Sequence, residues 1–313
     1  MSQPKKYEVV GIGEILWDLL PSGKQLGGAP ANFTCHAWAL GAEARLVSRV
    51  GEDDLGCEII ERWTARSMPT DTIEIDRERP TGTVSVELDA DGQPKYTIHE
   101  RVAWDRIEAD DAALNAVSMA DAVCFGTLAQ RTKSARAALE VLLSASRPDA
   151  LRIFDVNLRP PFVARDVIVE SMKPANVLKL NEHELPVLAD IFSLSGSPAE
   201  QIAELARRFE LRLVALTRGG EGSLLFADGA LSEHPGLYTK VVDTVGAGDA
   251  FTAALTLGFL QDWNLDRINY WANEVASYVC SQPGATPIIP EGFLLWAASA
   301  SPLPARLKPL PEK

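Results

Sequence analysis

Asp249 stands directly behind three small residues, Gly246, Ala247 and Gly248, in the stretch VVDTVGAGDAF, and just ahead of the apolar run AFTAALTLGFL. The run reads as a mostly buried helix and VVD as the end of a strand, with the glycines breaking the chain between them. The first N–H groups of a helix lack partners within it and carry the positive end of its dipole. An acidic residue in that first turn is therefore stabilised by about 0.3–1 kcal/mol and needs no other role. The glycines open a second reading, because side-chain-free residues at such a turn let a phosphate approach the bare N–H groups. A carboxylate beside a phosphoryl group in transfer can accept a proton from the attacking hydroxyl while the amides hold the charge on phosphorus.

Further stretches carry groups suited to that chemistry. In GGAPAN, the glycines Gly27 and Gly28 permit close approach of a polyhydroxyl ligand and Asn32 offers both donor and acceptor, although a tight helix entry uses the same residues. Asp18, in GEILWDLL, is an acidic residue in an apolar run and needs a partner, which two vicinal hydroxyls would supply. Asn181 and Glu184, in NEHE, are hard oxygen ligands of the kind Mg²⁺ takes sparingly beside phosphates, or else a solvated helix start. Arg159, in DVNLRPP, can clamp a phosphate or sugar oxygen. Thr217, Arg218, Gly219 and Gly222, in TRGGEG, can line a nucleotide.

Several other motifs fall away. Gly11 and Gly13 begin a dinucleotide fingerprint whose third glycine is missing, which weakens a nicotinamide-dependent oxidoreductase, and no GxxxxGK[ST] occurs. Cys35, Cys57, Cys124 and Cys280 have no Cys-x-x-Cys spacing, so structural zinc and a disulfide framework are poorly supported. With a net charge of −13 and no basic run longer than Arg207-Arg208, nucleic acid is not an expected partner. No apolar stretch approaches the roughly 20 residues of a membrane span, and the first residues do not read as a secretory signal, which predicts a cytoplasmic protein.

The elements that must position these groups alternate between strand and helix along most of the 313 residues. KYEVVGIGEIL begins as a strand, GAPANFTCHAWALGA follows as a helix, and ADAVCFGT, LRIFDVNLR, NVLKLN, LRLVALTRGG and SLLFADG are further strands, with helices over RTKSARAALEVLLSAS and near AEQIAELARRFE. This order predicts an α/β fold: a doubly wound, mostly parallel sheet with helices on both faces, its ligands collecting at the C-terminal strand ends. TGTVSVELDADGQPKYTIHE breaks the series with a hairpin pattern. We therefore expect a single domain over residues 1–313, with a small β-sheet lid inserted from about residues 14–30 and 79–103, and a Pro-rich tail at 300–313.

Taken in order, GGAPAN, NLRPP, N-x-x-E, T-R-G-G-x-G and D-T-x-G-A-G-D resemble the ribokinase (PfkB-type) carbohydrate kinase family across nearly the whole chain. The resemblance implies a ribokinase-like fold that transfers the γ-phosphate of ATP to a sugar. It makes Asp249 the general base and Gly246, Ala247 and Gly248 the anion hole. Asp18, Gly28, Asn32 and Arg159 become sugar ligands. Asn181, Thr217, Gly219, Gly222 and Asn273 match nucleotide positions, and Glu184 matches a position acting on Mg²⁺ through water. Asp243 and the loop around Gly284 resemble a monovalent-cation (K⁺) site. GEILWDLLP, LGGAPANF, VAWDRIE and DVNLRPPF look most like bacterial fructokinases, which phosphorylate the 6-hydroxyl of fructose. Ribokinase and 2-keto-3-deoxygluconate kinase share the catalytic elements, and only Asp18, Asn32, Arg159 and the hairpin around Tyr96, Ile98 and Trp104 are expected to discriminate among sugars. A catalytically silent sugar or nucleotide sensor of the same fold would need a damaged motif, and none is visible. A small open sheet leaves one face bare, so a homodimer through the lid is expected.

Overall fold

The computed structural model describes residues 6–21, 23–88 and 94–298. The Pro-rich tail at 300–313 and the DADG turn at 89–92 lie outside the described residues. The chain runs β1 (Glu8–Ile12), β2 (Leu16–Leu20), β3 (Gly23–Gly27), α1 (Ala29–Ala39), β4 (Glu43–Gly51), α2 (Asp54–Ala65), β5 (Ile73–Asp76), β6 (Gly82–Leu88), β7 (Pro94–Ile98), α3 (Asp111–Met119), β8 (Ala122–Phe125) and α4 (Lys133–Ala145). It continues through β9 (Leu151–Asp155), α5 (Arg165–Met172), β10 (Val177–Asn181), α6 (Leu185–Phe192), α7 (Pro198–Arg208), β11 (Leu213–Thr217), β12 (Ser223–Ala227), β13 (Ala230–His234), α8 (Ala247–Leu260), α9 (Leu265–Cys280) and α10 (Glu291–Ala298).

Among the described residues the strands form two sheets. The larger has nine strands in the order β13-β12-β11-β10-β9-β8-β1-β4-β5, parallel except for the antiparallel edge β11-β12-β13. Its middle strands are apolar runs rather than alternations, because both faces are covered. Successive residues of these strands point to opposite sides. Val10, Ile12, Val123, Phe125, Phe154, Leu178 and Leu180 meet Leu142, Ile168, Leu188 and Leu205 of α4 to α7. Val9, Ala122, Cys124, Leu151, Ile153 and Val177 meet Phe33 of α1, Phe251 and Leu255 of α8, and Trp271 and Val275 of α9. This is the doubly wound α/β architecture read from the sequence. No helix among the described residues is long and apolar enough to cross a membrane.

The second sheet has four strands in the order β3-β2-β6-β7, with β2 and β6 parallel and both outer pairs antiparallel. The stretch that begins as a strand near Tyr7 divides at Gly13, where the chain takes φ 147°, and Leu16–Leu20 belongs to the small sheet. A Cβ on Gly13 would lie 2.6 Å from the Pro30 ring of α1, so a glycine is required where the chain leaves one sheet for the other. Ile15 and Trp17 then pack with Ala31, Cys35, Leu46, Val50, Ile59 and Trp63 in a core shared by the small sheet, α1, β4 and α2.

A second departure concerns VVD, expected to end a strand. Val241 and Val242 are in an irregular segment, 59 % and 57 % exposed, and the N–H groups of Val242 and Asp243 donate to the carbonyl of Cys280. β-branched residues favour extended backbone, but a strand needs a neighbour, and here the chain runs past the end of α9 instead of along a sheet edge.

The return from the small sheet is fixed by one buried ion pair. Arg131 forks onto Asp105 at 2.6 and 2.9 Å, donates to the carbonyl of His99, and lies 3.9 Å from the centroid of the Trp104 ring. Removing one partner would strand the other charge in the interior, at a cost of about 3–5 kcal/mol. Arg131→Ala should lower unfolding stability by that amount in urea melts, and a change under about 1 kcal/mol would mean the pair is not the anchor.

Candidate active site

Four elements converge where α8 begins. Gly246, its N-cap, has φ 79°, and a Cβ there would fall 2.1 Å from the carbonyl oxygen of Ala285, so conformation and space both demand glycine. Ala247 donates to Thr244 O in a 3.3 Å turn bond. The N–H groups of Gly246, Gly248 and Asp249 have no acceptor among the described residues. Two of the three amides expected to hold an anion are thus open, and the third is engaged in the turn.

α1 enters from the small sheet through Gly27 and Gly28. Gly28 has φ 109°, and a Cβ on it would lie 2.3 Å from Glu14 O. Gly28 offers the helix no side-chain cap, and the carboxylate of Glu14 accepts the Ala29 N–H at 3.3 Å in its place. One turn in, Asn32 is 5 % exposed and its Nδ2 donates to Asp249 Oδ2 at 2.8 Å. Asn32, expected to meet sugar, therefore also holds the candidate base.

Burial pushes the Asp249 carboxyl up to about 6; the negative charge of Asp155 adds to this, and Asn32, Lys179 and Arg159 pull the other way. Behind Asp249 lies a buried charge network. Lys179 Nζ sits 3.1 Å from Asp155 Oδ1, and Asp155 Oδ2 accepts from Thr252 Oγ1 at 3.0 Å. Desolvation is the largest influence on the Lys179 ammonium and favours the neutral form, but Asp155, Glu184 and Asp249 together raise its pKa, so it stays charged. A Cβ on Gly248 would lie 3.3 Å from Lys179 Nζ, which places that charge directly under the first turn of α8.

Asn181 and Glu184 brace each other. Asn181 Oδ1 accepts the N–H groups of His183 and Glu184, while the Glu184 carboxylate accepts those of Leu158 and Asn181, both at 2.8 Å. Glu184 is buried, and burial raises its pKa. Each of its oxygens still has a lone pair for a water.

On the other side, Asp18 reaches the turn before α1: a Cβ on Gly27 would lie 2.5 Å from Asp18 Oδ2. Burial raises Asp18 to about 6 and Glu14 to about 7, and the positive charge of Arg159 opposes both shifts. Arg159 itself is exposed, donates to Leu158 O, and exerts its field on Glu14, Asp18 and Asp249 together. Asp18, Gly28, Asn32, Arg159, Asp249 and the Gly246–Gly248 turn thus lie in one region.

The remaining expected residues are placed differently. Asp243 Oδ1 accepts from Val245 N and Oδ2 from Gly284 N at 3.2 Å, which docks the loop around Gly284 against the turn. Among the described residues no three His, Cys, Asp or Glu side chains gather as metal ligands. Thr217 ends β11 opposite Asn181 of β10. Gly219 has φ 55°, and a Cβ on Gly222 would fall 2.1 Å from His234 O, so Gly222 is fixed by packing against β13. Asn273 spends its Nδ2 inside the protein, on Ser223 Oγ at 2.7 Å and Asn269 O at 2.8 Å. Trp104, expected among the sugar-discriminating residues, is fully buried under Arg131, because its ring serves the Arg131–Asp105 anchor; Tyr96 is 63 % exposed.

Glu14, Asp155, Lys179 and Thr252 were not anticipated. The signal for two of them was present: Glu14 and Lys179, like Asp18, are charges inside apolar runs that must find compensation.

The sequence profile of the pfkB family carbohydrate kinases matches residues 22–292. An uncharacterized sugar kinase of Pyrococcus horikoshii is 29% identical over 296 residues, 88% of this chain and 91% of that protein. Its structure in complex with ATP superposes with a TM-score of 0.77 over 89% of this chain and 94% of the other. A fructokinase of Klebsiella pneumoniae is 31% identical over 260 residues, 79% of this chain and 82% of that one. The fructokinase of Vibrio cholerae O395, solved with fructose, ADP and calcium ion, is 23% identical with a TM-score of 0.77, covering 92% of this chain and 97% of its own. With a profile match over most of its length and the matching fold, the chain belongs to the pfkB family of carbohydrate kinases.

Proposed function

We propose that this carbohydrate kinase transfers the γ-phosphoryl group of ATP to the 6-hydroxyl of fructose, with Asp249 as the general base. The observation that carries the reading is the 2.8 Å bond from Asn32 to Asp249, which presents a carboxylate beside the open amides of Gly246 and Gly248. Fructose is favoured by the similarity to the Klebsiella fructokinase, at 31% identity; the Pyrococcus relative is named only as a sugar kinase.

The hydroxyl oxygen attacks phosphorus as its proton passes to Asp249; the new O–P bond forms and the bond to the ADP oxygen breaks. Backbone N–H groups at the α8 terminus and the Lys179 charge beneath them stabilise the negative charge on the transferred group. Asp18, Gly28, Asn32 and Arg159 orient the sugar. The small sheet, joined to the site through Glu14 and Gly28, covers it and excludes water. Thr217 and Gly219 line the nucleotide; Gly222 and Asn273 support that loop from behind. Glu184 fits a Mg²⁺ held through water, since each of its oxygens keeps a second lone pair while Asn181 braces it; such an ion would neutralise phosphate charge. A K⁺ beside Asp243 and Gly284 would lean on the loop carbonyls, with Asp243 docking that loop through the Gly284 N–H.

ADP release measured with fructose, ribose and 2-keto-3-deoxygluconate tests the reading: fructose should give the highest kcat/KM, and a higher value for another sugar would reassign the substrate. Asp249→Asn should cut turnover by about 10²–10⁴-fold with ATP binding retained, and near wild-type turnover would remove Asp249 from the mechanism. Since the Asp249 carboxyl is raised to about 6, it is protonated and inert as a base below that value. The kcat/KM profile should be flat above its acid limb and fall as pH drops through about 6; full activity retained at pH 5 would contradict the assignment. The small sheet leaves Tyr96 exposed on the face that also bears Asp18 and Val84, and this fits a homodimer formed through it. Sedimentation should give a dimer at micromolar concentration, and a monomer alone would reject that pairing.

A further inference from the structure

α1 reaches the start of α8 twice. Asn32 holds Asp249, and His36, four residues on and therefore on the same face, sets its Nε2 3.0 Å from the carbonyl oxygen of Ala285. His36 is 1 % exposed, and burial pushes its pKa down to about 4. A neutral imidazole facing a carbonyl must present N–H there, so Nε2 is the donor.

The Ala285 oxygen is the same atom that leaves no room for a side chain on Gly246, 2.1 Å from where a Cβ would stand. Its position therefore limits how the Gly246 turn can lie. The loop bearing it is tied further by Gly284 N–H to Asp243 Oδ2 at 3.2 Å and by Arg66 Nη2 to Thr286 O at 3.0 Å. These ties leave the middle of the loop, at Ala285, to His36. An ordinary core histidine satisfied by the nearest carbonyl would have the same burial, but its acceptor would not be in contact with the turn that receives the phosphoryl group.

We propose that His36 is a positioning residue for phosphoryl transfer: by fixing the Ala285 carbonyl against Gly246, it holds the open amides of Gly246 and Gly248 in register with Asp249. The inference rests on the kinase reading above. One helix thereby sets both halves of the site, the base through Asn32 and the anion-holding turn through His36. Because α1 begins at Gly28, directly after the small sheet, the same helix links the sugar-covering sheet to the phosphate-holding turn.

The test compares His36→Phe, which keeps an aromatic ring without the donor, with His36→Gln, whose amide N–H can reach the same oxygen. His36→Phe should lower kcat by about 10–100-fold, the scale expected when reacting groups are displaced by about 1 Å, with KM for sugar and ATP within about threefold of wild type. His36→Gln should keep kcat within about threefold. In hydrogen exchange, the amides of Ala247 and Ala250, which donate within this turn to Thr244 O and Gly246 O, should exchange faster in His36→Phe while those of β10 are unchanged. A His36→Phe kcat within threefold of wild type, an equal loss in His36→Gln, or unchanged exchange at the turn would each overturn the proposal. Nitrogen NMR of the wild-type protein needs no variant to fold: His36 should carry its proton on Nε2, and a proton on Nδ1 would overturn the brace. If wild type phosphorylates no sugar, the kinase reading fails, and the exchange and NMR results still decide the brace separately.

Discussion

A partly buried carboxylate must remain ionisable next to fully buried ones, and the site is built around that constraint. Asp249 shares its surroundings with Asp155, Glu184 and Glu14, all removed from solvent. Like charges in a low-dielectric interior would drive one another to the neutral form. Lys179 opposes this from below the first turn of α8, Arg159 from the pocket side, and the dipole of α8 from within. The balance leaves Asp249 raised to about 6, high enough to accept a proton with some driving force and low enough to be ionised at neutral pH.

The same region is crowded with backbone. Gly28 against Glu14 O, Gly246 against Ala285 O and Gly222 against His234 O are three places where a Cβ would lie within 2.3 Å of a carbonyl oxygen. These contacts remove slack: each loop of the site is pressed onto another rather than left to solvent. They also explain why polar side chains there so often end on backbone, as with Glu184 on Leu158 and Asn181, Asp243 on Val245 and Gly284, and His36 on Ala285. Fixed amides and carbonyls cost little reorganisation when charge develops, which is the property phosphoryl transfer requires.

Much of the fold was legible because it rests on local patterns. Continuous apolar runs such as AVCF and LVALT announced strands covered on both faces, and the alternation of TGTVSVEL announced a strand outside that series. Legibility ended where pairing decides the outcome. VVD has the composition of a strand and no neighbour to make it one, and the strand break at Gly13 depends on the Pro30 ring approaching from α1. In the site, the glycine turn and Asp249 could be read directly, as could Asn32, Arg159, Asn181 and Glu184 as polar candidates. The second duty of Asn32, the inward-facing Asn273, the buried Trp104 and the support from Lys179 and Asp155 could not.

The sequence by itself determined the family, the α/β order and the glycine turn at which α8 begins with its carboxylate. Those features depend on backbone torsion preferences and on apolar spacing, which a few neighbouring residues specify. The tertiary structure alone decided that Asn32 meets Asp249 across 217 positions of chain, that Lys179 lies beneath Gly248, and that His36 reaches the carbonyl pressed on Gly246. Desolvation and through-space charge depend on which segments the sheet order brings together, and no local stretch carries that information.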